Sequence, residues 1–280
     1  MQDIKIFAFA DEAATDIDGQ IRALKRNGLA GLEIRGVDGQ NISDITLNKA
    51  KEVKEKLDCE GLSVWSIGSP IGKIEIADDF EAHKEKLKRT LEIANVLDCK
   101  NIRMFSFFMP ENEDKLRYSS EVIWKVGEMA KIAEQSGVFL CHENEKGIYG
   151  DTPEACLELF KAIPLLKGVF DPANFVQCGQ KTYPDAYEML KPYIEYMHIK
   201  DALANSDVVP AGMGEGCVYD ILKALSDADY EGFLSLEPHL GSFEGLDALE
   251  TDDKMTRLEK SSADKFTLAY ESLMKIIERI

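Results

Sequence analysis

The chain has 280 residues, 45% hydrophobic and 30% charged, the balance of a folded globular protein with a sizeable core and not of a disordered or fibrous one. A formal charge of −18 opposes attraction to phosphate polyanions, which needs clustered Lys and Arg, so neither nucleic acid nor an anionic membrane surface is expected as a partner. No apolar run approaches the roughly 20 residues of a membrane-spanning helix. The start Met1 to Phe9 lacks the basic flank and long apolar stretch of a signal peptide, and the six scattered cysteines form no Cys-x-x-Cys pair, so a cytoplasmic protein with reduced thiols is expected.

Along the chain, short β-type runs alternate with amphipathic helical stretches. A first run begins near Ile4 and gives way to a predicted helix over Ile17–Asn27; a second begins near Gly31 and precedes a helix over Ile45–Leu57. A third near Leu62 is followed by Phe80–Leu97, and a fourth near Asn101 by Ser120–Gln135. The fifth, near Gly137, leads to Pro153–Ala162, where Thr152-Pro153-Glu154 offers a capping hydroxyl, a Pro at the first helical position and a carboxylate at the positive helix end. A sixth run begins near Lys167 and a seventh near Ile194, the latter followed by Tyr219–Ser226; the eighth, near Gly232, is followed by Thr256–Ile280. Successive starts lie 27 to 39 residues apart, room for one strand, one helix and two short loops. The junctions Leu57-Asp58-Cys59-Glu60-Gly61-Leu62 and Leu97-Asp98-Cys99-Lys100-Asn101-Ile102 even echo one another.

Such alternation implies parallel strands with right-handed crossovers. Eight units in this length favour a closed barrel over an open sheet, and no Gly-x-Gly-x-x-Gly follows the first strand to support dinucleotide binding. No Pro- or Ser-rich linker divides the chain. The expectation is a single (β/α)8 TIM barrel domain spanning residues 1–280, an α/β fold.

In such a barrel all strands end at one mouth, so polar residues that close different strands converge on one site. The fifth strand ends His142-Glu143-Asn144, the sixth Phe170-Asp171-Pro172, the seventh His198-Ile199-Lys200-Asp201 and the eighth Leu236-Glu237-Pro238-His239. Singly, each acid is an ordinary loop cap. Together, Glu143, Asp171, His198 and Glu237 offer three carboxylates and one imidazole, a set suited to one divalent ion, Mn²⁺, Mg²⁺, Co²⁺ or Zn²⁺. A cation would also relieve the mutual repulsion of three carboxylates. His83 is expected on a solvated helix, His239 in a loop, and His142 on the opposite side of its strand from Glu143. Phe7, Phe9, Trp65, Phe105, Phe107 and Phe108 are candidates to wall the pocket or to pack the core.

These runs, in this order and with Gly214-Glu215-Gly216 between the last two, resemble the xylose isomerase-like barrel superfamily, over nearly the whole chain. That group includes sugar and sugar-phosphate isomerases and epimerases, inosose dehydratases, hydroxypyruvate isomerase and endonuclease IV. The resemblance implies Glu143, Asp171, His198 and Glu237 as metal ligands, with Glu143 and Glu237 doubling as proton-transfer groups. A cation chelating a carbonyl and its neighbouring hydroxyl acidifies the C–H between them and stabilises the enediolate, while carboxylates on the two faces remove and return a proton. Return to the neighbouring carbon isomerises; return to the same carbon from the other face epimerises.

One position departs from the pattern, since Asn174 stands where the family often has His; it is read as a substrate-binding residue, able to hydrogen bond a sugar hydroxyl but unable to shuttle a proton. Lys200 is the second substrate-binding candidate, and the Pro210–Gly216 loop after it is either an anion site built from backbone N–H groups or a plain glycine loop. The expected ligand is a small sugar, sugar phosphate or related polyol or keto acid. A dehydratase of the same fold and a non-catalytic sugar-binding barrel are the rival functions; an endonuclease is disfavoured by the acidity and by only four histidines. Family analogy extends to a homo-oligomer.

Overall fold

The computed structural model describes residues 4–242 and 259–280. Eight parallel strands close into a barrel: β1 (Ile6–Ala8), β2 (Gly31–Ile34), β3 (Ser63–Gly68), β4 (Asn101–Met104), β5 (Phe139–Glu143), β6 (Lys167–Phe170), β7 (Ile194–Ile199) and β8 (Phe233–Leu236). Each strand pairs with its sequence neighbours, and β1 pairs with β8 through Ile6 opposite Leu234 and Ala8 opposite Leu236, which closes the ring.

The helices sit where hydrophobic periodicity put them, with small shifts at their ends. They are α1 (Ile17–Arg26), α2 (Leu47–Cys59), α3 (Phe80–Val96), α4 (Ser119–Gln135), α5 (Pro153–Ala162), α6 (Pro172–Gln177), α7 (Tyr187–Leu190), α8 (Val218–Asp227) and α9 (Ala263–Ile277). The start of the predicted last helix, Thr256 to Leu258, lies outside the described residues. Side-chain caps explain several of the starts: Asp16, Thr46, Asp79, Thr152 and Ser262 each accept a backbone N–H of the first turn. Two short helices after β6, α6 and α7, were not anticipated; the Asp171-Pro172 pair that opens α6 carries the same cap-then-proline signal as Thr152-Pro153.

Inside the barrel the residues sort by depth. At the N-terminal end Phe7, Trp65 and Phe233 form an aromatic floor, with Trp65 and Phe233 ring centroids 3.7 Å apart and Phe7 and Phe233 5.3 Å apart. Cys141, Val169 and Tyr196 pack with them. Phe7 and Trp65 therefore serve the core and do not wall a pocket, and Phe107 packs on α3 beside Phe80 and His83. His83 itself corrects the expectation of a solvated side chain: it is 6% exposed, and its Nε2 accepts the Gly72 N–H at 2.8 Å. The α3 turn carrying it faces inward, so its polarity is absorbed by a loop amide and not by water. All six cysteines are free thiols. Among the described residues no helix is long and apolar enough to cross a membrane.

Candidate metal centre

Strand alternation sends every second side chain into the barrel, and at the C-terminal end those side chains are charged. Glu143 closes β5, Asp171 follows β6, His198 lies on β7 and Glu237 follows β8; all four are buried, and one donor atom from each lies within 4.8 Å of every other. His198 Nδ1 is 2.9 Å from Glu143 Oε1, 3.3 Å from Glu237 Oε2 and 3.7 Å from Asp171 Oδ2. The four residues singled out in the sequence thus converge.

The convergence depends on how each side chain is held. Asp171 divides its carboxylate: Oδ1 caps α6 by accepting the Asn174 N–H at 2.9 Å, while the buried Oδ2 faces the centre, 3.0 Å from Lys200 Nζ. The capping role and the metal-ligand role of this residue are therefore compatible. Its backbone is pinned to β5 by a reciprocal pair with Asn144, whose amide donates to Asp171 O and accepts from Asp171 N, each at 2.9 Å. Asn174 turns its amide inward, donating to Glu143 Oε1 at 3.1 Å and to Asn144 O at 2.9 Å. Arg103 Nη1 donates to Glu143 Oε2 at 2.8 Å, and the guanidinium packs over the Phe9 and Phe105 rings. Lys200 Nζ donates to Glu237 Oε2 at 2.8 Å and lies 3.0 Å from Asp171 Oδ2.

These contacts set the protonation states. Burial pushes the Glu143 carboxyl upward, but His198 and Arg103 overcome it and hold the group well below its usual range. Glu237 is likewise held down against burial by Lys200, His239 and His198. At Asp171 burial outweighs Lys200 and the carboxyl is raised. Burial lowers His198, yet Glu143, Glu33 and Glu237 together carry it well above the usual imidazole range. The chemistry of the set, one imidazole with three carboxylates whose donor atoms face one another within 4.8 Å, fits a divalent ion.

Neither His142 nor His239 belongs to the donor set, although His239 Nε2 lies 3.4 Å from Glu237 Oε1. His142 points out of the barrel, with Nε2 2.9 Å from Ser106 Oγ and its ring against Phe160, as strand alternation from Glu143 requires. His239 lies in the loop after β8, buried beside Arg35 and Glu12. Sequence reasoning missed that second cluster. Arg35 donates to Asp11 from Nε at 2.9 Å and Nη2 at 3.0 Å, to Glu12 at 3.1 Å and to Glu237 Oε1 at 3.4 Å, so it ties the β1 loop to the centre. Burial, only partly offset by Arg35, pushes the Glu12 carboxyl up to about 8. The signal was present: Glu33 on β2, Arg35 directly after it and Arg103 on β4 are charges in or beside apolar runs that a parallel barrel buries on both faces.

The glycine loop after β7 is a nest already filled. Asp201 accepts the N–H groups of Gly212, Gly214 and Gly216 and of Ala202, at 2.8 to 3.0 Å. A Cβ at Gly214 or Gly216 would stand 2.4 or 2.7 Å from the Asp201 carboxylate, which is why glycine occupies both positions. The anion held by this loop is the chain's own side chain, and Lys200 is directed to Asp171 and Glu237, so these amides do not form the phosphate site weighed from sequence.

Comparison with known proteins agrees with this architecture. The family model of the xylose isomerase-like TIM barrel matches residues 21–259. No curated protein matches in sequence. Among solved structures, the probable 3-DHS dehydratase involved in petrobactin synthesis from Bacillus anthracis superposes with a TM-score of 0.73 at 19% identity, covering 97% of this chain and 98% of that one. D-psicose 3-epimerase with D-tagatose from Clostridium cellulolyticum gives 0.72 at 18% identity, covering 98% and 99%. A xylose isomerase-like TIM barrel protein from Mycobacterium smegmatis in complex with magnesium gives 0.69 at 16%, covering 99% and 98%. At such identities the likeness is one of fold.

Proposed function

We propose that this chain, which belongs to the xylose isomerase-like TIM barrel family, is a divalent-metal-dependent isomerase or epimerase of a small sugar or sugar derivative. The observation that carries the reading is the four-residue donor set, with Glu143, Asp171, His198 and Glu237 contributing atoms within 4.8 Å of one another. The resident ion, held by these residues, would supply polarisation of a substrate carbonyl.

The chain's own residues account for the rest. Glu143 and Glu237 approach the centre from different strands, and both are held below the usual carboxylate range and so in the ionised form that a general base needs. Arg103 and Asn174 fix Glu143, and Arg35 and Lys200 fix Glu237, so neither base has to be ordered at the moment of transfer. The Lys200 ammonium lies between Asp171 and Glu237 and would donate its remaining proton to a substrate oxygen. That same ammonium favours one second reading, a dehydratase, in which it protonates a departing hydroxyl.

The test is metal analysis of purified protein, followed by incubation of ketoses, their phosphates and keto acids in D₂O with and without Mn²⁺, Co²⁺, Mg²⁺ or Zn²⁺. Ion-dependent interconversion with deuterium at the carbon next to the carbonyl supports the proposal. A dehydrated product selects the second reading. Turnover that survives both Glu143→Gln and Glu237→Gln, or a protein that neither binds an ion nor exchanges deuterium, overturns it.

A further inference from the structure

Below the donor set, deeper in the barrel, lies a carboxylate that the mechanism above does not use. Glu33 on β2 is fully buried, as is His198 on β7, 165 residues away in sequence and across the barrel. Its Oε2 is 3.0 Å from His198 Nε2, the ring nitrogen that faces away from Glu143, Asp171 and Glu237. Its Oε1 accepts the Tyr196 hydroxyl at 2.7 Å, and Ser66 Oγ lies 3.0 Å behind that hydroxyl. Phe9 packs edge-on against the His198 ring with centroids 5.3 Å apart, which leaves the imidazole little freedom to flip.

Resting on the metal reading, we infer that Glu33 is a positioning residue that holds His198 with its proton on Nε2 and its Nδ1 lone pair presented to the ion. An isolated buried carboxylate is costly, and filling this position with an apolar residue would be cheaper for the fold. The carboxylate earns a function because one ring nitrogen can serve as a ligand only if the other keeps the proton, and an acceptor on the far side both selects that tautomer and makes the ligand more basic. Tyr196 donates to the other carboxylate oxygen, Oε1, which leaves Oε2 to His198.

The experiment compares wild type, Glu33→Gln and Tyr196→Phe by Mn²⁺ titration calorimetry, and follows the His198 ring nitrogens by ¹⁵N NMR in Zn²⁺-loaded protein. Wild type is expected to show a protonated Nε2 and a bare Nδ1. Glu33→Gln, near-isosteric, should weaken the ion roughly 10- to 100-fold and shift the Nε2 resonance, while Tyr196→Phe, which disturbs the same packing but spares the Glu33–His198 contact, should stay within about threefold of wild type. Should Glu33→Gln instead match Tyr196→Phe in both ion affinity and Nε2 shift, Glu33 only fills space and the inference falls while the metal reading stands. Failure of wild type itself to bind any divalent ion removes both.

Discussion

The floor and the mouth of this barrel are built by the same eight strands a few residues apart, yet they obey opposite rules. The floor, Phe7, Trp65 and Phe233 with Cys141, Val169 and Tyr196, is stabilised by apolar burial and ring packing. The mouth buries Glu33, Arg35, Arg103, Glu143, Asp171, His198, Lys200 and Glu237 within the same fold, and desolvation works against each of them. A structure keeps so many charges in its core only when their arrangement does something that an apolar filling cannot. The floor accounts for folding, then, and the mouth for the chemistry proposed above.

Mutations should split along that line. The largest effect is expected at Glu237→Gln, which preserves shape but removes a proposed proton-transfer group: turnover should fall by roughly a hundred- to ten-thousand-fold with the unfolding midpoint little lowered, as steady-state kinetics and thermal unfolding would register. Trp65→Ala should do the reverse, costing about 3 kcal/mol in urea unfolding by opening a cavity in the floor while leaving ion affinity unchanged. A loss of ion binding in that variant would mean that floor and mouth are not separable.

The third test concerns a buried titrating group in neither region. His83 is lowered by burial to about 4, whereas an unfolded histidine titrates near 6.5. Between those values the unfolded chain takes up a proton that the folded chain refuses, so this stabilisation is complete above about pH 6.5 and is lost as pH falls toward 4, on the order of 3 kcal/mol in all. His83→Gln, which keeps an acceptor for the Gly72 N–H, should flatten the acid limb of the stability profile; an unchanged limb would assign it to the mouth instead. The smallest effect is expected at Asp201→Asn. An amide offers one acceptor oxygen where the carboxylate offers two, so two of the four loop N–H groups lose their partner, at about 2 kcal/mol of stability. Added inorganic phosphate should not restore it, because the nest fits a tethered carboxylate.

Legibility followed the range of the interactions. Strand and helix positions were readable because hydrophobic periodicity and caps are local: Thr152-Pro153 opens α5 and Asp79 caps α3 by contacts within a few residues. The donor set was readable because barrel topology sends every strand end to one place, so Glu143, Asp171, His198 and Glu237 needed only to be strand-final. The burial of His83 was not, since a helical histidine among lysines and glutamates looks solvated until a loop amide is brought to it. Nor was the division of labour among the acids, with Asp171 capping through one oxygen and turning the other to Lys200 and His198 while Asp201 gives both oxygens to its loop.

What the amino-acid order determined by itself is the βα repeat, the closed parallel barrel and the identity of the residues that end its strands, because these depend on periods of two and 3.6 residues and on nearest-neighbour caps. What only the tertiary structure decided is which charges act on one another: Glu33 meets His198, and Arg35 meets Glu237, across separations of 165 and 202 residues. Distance and burial set the strength of an electrostatic contact, and neither exists until the ring of strands has closed.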